Sequence, residues 1–392
     1  MTDLLSNVGF LGRLSPSATL AITAKAKAMK AAGEDVLSLS AGEPDFDTPD
    51  HIKEAAIKAL RDGETKYTPA AGTPVLRAAI AEKFSKENGI EVESARVIVA
   101  PGAKYSVFTA VAALCGEGDE VILPEPYWVS YPEIVKAAGA KAVPVATSAD
   151  DNYELSPEAF ESAVTDRTKL LILNTPGNPT GAVYRKSTLE RIAEVAVRKN
   201  VMVLADEIYE KLTYDENLPH VSIASLSAEI AERTITVNGF SKAYSMTGWR
   251  LGYLAAPEWL VKRISALQSH TTSNPTTFAQ AGALAALKGP AEPVEVMRQA
   301  FSKRRGLIHG LISDIPGMEC IRPSGAFYIF CDISSFGLPS QDFCAKLLET
   351  KKVAAVPGAP FGAEGNIRLS YACSEEVIKE AVARIAAFTA TL

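Results

Sequence analysis

The sequence predicts an α/β fold. A large, doubly wound, mostly parallel sheet domain is joined by a smaller α+β domain formed from the N-terminal arm and the C-terminal third. Two observations carry this expectation. Between residues 96 and 240, short apolar runs rich in β-branched residues alternate with amphipathic stretches, the pattern of parallel strands covered on both faces. At both ends of the chain that alternation gives way to longer helices and isolated strands. The implied boundaries are 1–47 for the arm, 48–290 for the large domain and 291–392 for the small one.

The strands follow in order. "RVIVA" (Arg96–Ala100) precedes the helical "AKYSVFTAVAALCG", and "EVILP" (Glu120–Pro124) precedes "SYPEIVKAAG". "KLLILN" (Lys169–Asn174) leads through "STLERIAEVAVRKN" into "VMVLAD" (Val201–Asp206), and "TITVNGF" (Thr234–Phe240) closes the series. The stretches "TPDHIKEAAIKAL" and "TPVLRAAIAEKF" each offer a threonine cap, Thr48 or Thr73, with proline in the first turn. The arm holds a helix near Ser17–Ala32 and the strand "VLSLS". The C-terminal third holds the long helix "VEVMRQAFSKRRGLIHGLI" and the apolar strands "AFYIFCDI" and "NIRLSYA".

Composition bounds the function. The chain has 392 residues, 47% of them hydrophobic and 22% charged, with 40 basic against 46 acidic side chains and a net charge of -6. An evenly spread, mildly acidic charge predicts neither nucleic acid nor an anionic membrane as partner, so any bound anion needs a local site. Five scattered cysteines and four dispersed histidines without a Cys-x-x-Cys fit core thiols in a reduced compartment, with no metal centre. The start of the chain does not read as a signal peptide, and no apolar run is long enough to span a membrane. The expectation is a soluble cytoplasmic protein.

In open α/β sheets ligands sit beyond the carboxyl ends of the strands. Five successive strand ends here carry distinctive residues. After "RVIVA" comes the turn Gly102–Ala103–Lys104 into a helix, whose free amides suit a phosphate. After "EVILP" comes Trp128, a flat aromatic. After "KLLILN" the Pro/Gly loop "TPGNPTG" presents Asn178, and "VMVLAD" ends on Asp206 with Tyr209 one turn on. After "TITVNGF" come Ser241 and Lys242, and then Arg250. Each residue alone is usually a turn, a cap or a solvated side chain.

Taken together they meet the needs of pyridoxal phosphate. Its aldehyde needs an amine of lowered pKa, which a buried lysine near other cations supplies: Lys242. Its ring nitrogen needs an anion, Asp206. Its 3'-oxygen needs donors, Asn178 and Tyr209. Its phosphate needs amides, a hydroxyl and a guanidinium: the Gly102–Lys104 turn, Ser241 and Arg250. Its ring needs a stacking partner, Trp128.

At this point the chain resembles a family over essentially its whole length: the class I, fold-type I pyridoxal-phosphate aminotransferases, and within it the thermophile-type bacterial aspartate aminotransferases. The landmarks, in order, are "SATLAITAKA", "SAGEPDFDTP", "KYTPAAGTPVLR", "PYWVSYPE", "NTPGNPTGAVY", "DEIYEKL", "FSKAYSMTGWRLGY", "PSGAFY" and "NIRLSYA". The resemblance implies that Lys242 is the covalent anchor and the proton-moving base. It implies that Tyr67 reaches the phosphate of a neighbouring subunit, so the enzyme would be a homodimer with shared sites. It implies that Arg368 grips the substrate's α-carboxylate, with Gly42, Trp128 and Asn178 lining the same end. The substrates would be an amino acid and a keto acid.

Two departures shape specificity. "LQSHTTSNPTTFAQ" lacks the arginine that animal-type members bring to the distal carboxylate. Within the resembling subgroup a lysine does that work, which Lys104 matches here, with Thr19 beside it. Members that also accept prephenate often carry a basic residue just before "PSAT". Here Ser15 stands there, with Arg13 close by. Aspartate with 2-oxoglutarate is therefore the expected pair. Prephenate or broader aromatic substrates are the alternative, and a β-lyase on the same fold is the remote one. A ligand-sensing domain of a transcription regulator would need a DNA-binding extension or basic patch, and neither is read here.

Overall fold

The computed structural model describes Gly12 and residues 14–392; Arg13, named above, lies outside them. A helix over Ala18–Ala31 leads into a two-residue strand, β1 (Leu37–Ser38). Seven strands follow: β2 (Val97–Ala100), β3 (Glu120–Glu125), β4 (Lys141–Ala146), β5 (Thr168–Asn174), β6 (Met202–Asp206), β7 (Thr234–Gly239) and β8 (Gly252–Ala255). They form one sheet in the order β2-β8-β7-β6-β5-β3-β4. Every pairing is parallel except those of β8, which runs antiparallel to β7 and β2.

Strand side chains alternate between two cores. On one face Ile98, Leu170, Ile172, Leu204 and Ile235 pack under the helices Ala103–Leu114, Ser130–Ala137 and Glu258–Ser269. On the other, Val97, Val99 and Tyr253 meet the helices Asp50–Arg61, Pro74–Lys83 and Thr277–Lys288. Leu171, Leu173 and Val203 meet Lys186–Arg198 on that same side. Fully burying one such aliphatic side chain contributes about 1.5–3 kcal/mol, so both helical layers are held to the sheet by many small terms.

The C-terminal third opens with the helix Glu292–Ser313. Five short strands follow: β9 (Glu319–Cys320), β10 (Tyr328–Asp332), β11 (Val353–Ala354), β12 (Val356–Pro357) and β13 (Asn366–Ser370). An antiparallel sheet of order β12-β13-β10-β9 results, while β11 pairs in parallel with β1. The N-terminal arm thus returns to the C-terminal third, as expected. Among the described residues no helix is long and apolar enough to cross a membrane.

The structure differs from the sequence expectations in three places. β4, "KAVPVA", is an edge strand whose side chains stay partly exposed and which carries Pro144, a residue that argues against a strand. β8 is only four residues long. Neither threonine caps its helix. Thr48 precedes Pro49 and donates instead to the Ser245 carbonyl at 2.7 Å, while accepting from Trp249 Nε1 at 3.0 Å. Thr73 does stand at the cap position, but its hydroxyl makes no capping bond, and its N–H goes to Gln280. For Thr48 a tertiary partner outbid the local one.

Candidate active site

Beyond the carboxyl ends of β2, β3, β5, β6 and β7 lies a cavity of about 750 Å³. Its far wall comes from the arm, through Thr19 and Gly42, and from β13, through Arg368. Twelve of the fourteen sequence candidates line it: Thr19, Gly42, Ala103, Lys104, Trp128, Asn178, Asp206, Tyr209, Ser241, Lys242, Arg250 and Arg368. Gly102 meets it through Arg250, as described below. Tyr67 stands apart, 90% exposed.

Lys242 and Arg250 share the loop joining β7 to β8. Both ends of that loop are pinned by glycine: Gly239 lies opposite Gly252, and a Cβ on Gly239 would come within 3.0 Å of the Gly252 Cα. A Cβ on Gly252 would collide with the Ala103 amide nitrogen at 2.2 Å. This close approach sets the first turn of the helix Ala103–Leu114 against the loop. Arg250 adopts a left-handed backbone, φ 53°, and its Nη1 donates to the Thr247 carbonyl at 2.7 Å. Gly102, at φ 91°, leaves a cradle that a side chain would fill, since an added Cβ would sit 2.5 Å from Arg250 Nη2. Free helix-start amides beside a guanidinium make an anion site.

The Lys242 ammonium group donates to the Gly42 carbonyl and lies 5.8 Å and 5.7 Å from the Tyr209 and Phe327 ring centres. Its side chain is half-buried and lines the cavity. Burial lowers its pKa to about 8; Arg368 and Arg250 push the same way, against Glu43 and Asp206. Part of this amine is therefore neutral and nucleophilic near pH 8.

Asp206, 4% exposed, ends β6. Tyr131 donates to its Oδ2 at 2.8 Å and the Ile208 amide to its Oδ1 at 3.2 Å. Burial raises its pKa to about 6, although both hydrogen bonds and Lys242 act to lower it. The carboxylate is fixed in direction and charged at neutral pH. Trp128 stands edge-on to Tyr131, with ring centres 5.3 Å apart, and carries the Lys104 ammonium 4.8 Å above its own ring. Burial, then Arg250, lowers the Lys104 pKa.

Arg368 is 2% exposed. Its Nη1 donates to Asn178 Oδ1 at 2.9 Å and its Nη2 to the Ser40 carbonyl at 3.1 Å. Its guanidinium lies 4.4 Å from the Tyr328 ring centre, and Nε has no partner. Among the described residues no carboxylate pairs with it. A buried cation without a counter-charge is costly, and it marks a place where an anion belongs. Asn178 is itself set by its amide, which donates to Asn174 Oδ1 at 2.8 Å.

Several residues of the site were missed in the sequence. Tyr131 orients Asp206, and Tyr328 bonds the Tyr209 hydroxyl at 2.9 Å beneath Arg368. Glu43 accepts from Thr247 at 2.9 Å, and Ser40 lends its carbonyl to Arg368. Tyr131 and Tyr328 both lie inside the quoted runs "PYWVSYPE" and "PSGAFY", which were the available signal. Behind Asp206, Glu207 joins a separate buried group with Glu210, His220, Asn88 and Ser222. The Lys83 ammonium group supplies the cation there by bonding both Glu210 and Asn88.

Residues 34–385 match the family model described as aminotransferase class I and II. Aspartate aminotransferase of Geobacillus stearothermophilus is 50% identical over 96% of both chains. Aspartate/prephenate aminotransferase of Cereibacter sphaeroides is 46% identical over 97% of this chain and 98% of its own. Among solved structures, Thermus thermophilus aspartate aminotransferase with maleate superposes with a TM-score of 0.93, at 44% identity, covering 96% of this chain and 98% of the other. The chain belongs to the class I and II aminotransferases.

Proposed function

We propose that the protein is a pyridoxal-phosphate-dependent aspartate aminotransferase. It would move the amino group of L-aspartate to 2-oxoglutarate, giving oxaloacetate and L-glutamate. The observation that carries this reading is the buried, unpaired guanidinium of Arg368 facing an amine of lowered pKa, Lys242, across one cavity. The donor set fits the cofactor. The Gly102 cradle with Arg250 and Ser241 would hold its phosphate, Asp206 its ring nitrogen, and Asn178 and Tyr209 its 3'-oxygen, with Trp128 against the ring. When bound, the cofactor supplies an electrophilic carbon and an electron sink.

The chain's own residues do the rest. Lys242 anchors the cofactor, and once displaced by substrate it takes and returns the proton at the substrate's Cα, a positioned transfer worth about 10²–10⁴ in rate. Asp206 keeps the facing nitrogen protonated, and Tyr131 keeps Asp206 pointed at it. Arg368 receives the α-carboxylate as a bidentate pair, replacing the charge it lacks in the protein. Lys104 and Thr19 would receive the distal carboxylate, which favours a dicarboxylic substrate. Tyr67, exposed and away from its own cavity, would serve the site of a second copy in a homodimer.

The relative named aspartate/prephenate aminotransferase supports a second reading, in which prephenate is also accepted. One substrate panel tests both: aspartate, glutamate, alanine, tyrosine and cystathionine as donors, with 2-oxoglutarate, oxaloacetate and prephenate as acceptors. Turnover confined to alanine, or keto-acid release from cystathionine without an acceptor, would overturn the assignment. Prephenate turnover comparable to oxaloacetate would establish the broader one.

A further inference from the structure

Two of the five cysteines are cross-strand neighbours. In the small antiparallel sheet Cys320 of β9 stands directly opposite Cys331 of β10. Directly opposed antiparallel residues have Cα atoms about 4.5–5.5 Å apart, inside the roughly 4.4–6.8 Å that a disulfide spans, so no backbone has to move far. The two thiols differ. Cys331 is fully buried against the core that includes Ile329, Ile333 and Ile367, whereas Cys320 is partly exposed on an edge strand of two residues. The neighbouring Cys331 thiol lowers the Cys320 pKa and is itself pushed up, with burial adding to that rise. An accessible thiol with thiolate character, backed by a shielded partner, is the arrangement of an attacking and a resolving cysteine.

We propose that Cys320 and Cys331 are a redox-active dithiol that hydrogen peroxide converts to an intrachain disulfide. The Cys320 thiolate attacks peroxide, forming an S–O bond as the O–O bond breaks and hydroxide leaves. The Cys331 sulfur then attacks the Cys320 sulfur. The S–S bond forms, the S–O bond breaks, and water departs with the Cys331 proton. Two thiols are oxidised, and one peroxide is reduced to two waters. The link closes a loop over residues 321–330 that contains Tyr328, whose hydroxyl bonds Tyr209. On the other side of β10 lies β13, which carries Arg368.

The test treats the holoenzyme with peroxide, alkylates the remaining thiols and maps peptides without reduction. Chymotrypsin is the protease to use, because Phe327, Tyr328 and Phe330 lie between the two cysteines, whereas the Arg322–Pro323 bond resists trypsin. The expected result is a Cys320–Cys331 link, loss of two of the five thiols, reversal by dithiothreitol, and a chain that stays single on a non-reducing denaturing gel. Cys320→Ser should keep all its remaining thiols at the same peroxide dose. In Cys331→Ala, Cys320 should accumulate as a sulfenic acid that dimedone captures. The proposal is overturned by any of three results: both cysteines still alkylated after the other thiols have oxidised, Cys320 linked elsewhere or between chains, or a Cys320→Ser variant that loses thiols as the wild type does.

Discussion

The Arg368 guanidinium donates to Asn178 Oδ1 at 2.9 Å across the seam between the small sheet and the large one, and Nε of the same group is left without a partner. Replacing Arg368 with leucine removes the charge proposed to receive the substrate's α-carboxylate. The expected loss in kcat/KM for aspartate is about 2–5 kcal/mol, roughly 30- to several-thousand-fold, since a buried charged partner is being truncated. The cofactor-free variant should unfold at or above the wild-type temperature, because an uncompensated buried charge has gone. Steady-state kinetics and thermal unfolding check the two halves separately.

Lys242→Ala should leave nothing for borohydride to fix between cofactor and chain. In the wild type, the rate at which cofactor-free protein captures pyridoxal phosphate should rise with pH and level off beyond about 8, where the amine is neutral. The linkage has a definite sign. A lysine whose folded pKa is depressed from 10.5 to about 8 costs stability below 8 and recovers it as pH climbs towards 10.5. Relative to Lys242→Ala, the wild-type protein should therefore gain stability across that window. A flat difference from pH 7 to pH 10 would contradict the assigned environment.

Tyr131→Phe deletes a donor to a buried carboxylate, a bond worth about 1.5–3 kcal/mol. The Asp206 pKa, already raised to about 6, should rise further. The acid limb of cofactor retention, read by absorbance after gel filtration at each pH, should move to higher pH. Movement to lower pH would show that Tyr131 does not favour the charged carboxylate.

Gly102→Ala places a methyl group 2.5 Å from Arg250 Nη2 at a backbone conformation, φ 91° and ψ 153°, that costs a side chain about 1–3 kcal/mol. Affinity for pyridoxal phosphate, measured by fluorescence titration, should fall at least tenfold, and inorganic phosphate should compete less well than in the wild type.

Lys83→Met strands Glu210 in the buried group behind Asp206. Removing one member of such a pair costs about 3–5 kcal/mol. Combining it with Glu210→Gln should restore much of the loss in urea unfolding. Additive losses would mean that the pair does not act as a unit.

The sequence disclosed those parts of the site that hang on strand ends, because the near-continuous apolar runs of β5, β6 and β7 announce where each strand stops and so which residue comes next. Asp206, Lys242 and Asn178 were legible for that reason. Tyr131 was not: a phenol in the first turn of the helix Ser130–Ala137 gives no sign that its partner lies 75 positions away. The strand β8 was hidden because its four residues read as the tail of the lysine motif, and Thr48 because a hydroxyl before proline has a local explanation that a distant carbonyl displaced. What escaped was in each case a contact made by tertiary packing, which no local pattern encodes.

The glycine-pinned turn between β7 and β8 divides the labour of the enzyme. In the proposed reading the anchoring lysine and the phosphate clamp ride together on one turn of the broad sheet, whereas the arginine that would take the α-carboxylate belongs to another sheet altogether. The spacing of lysine and arginine is thereby set within one turn, independently of the strand that carries Arg368.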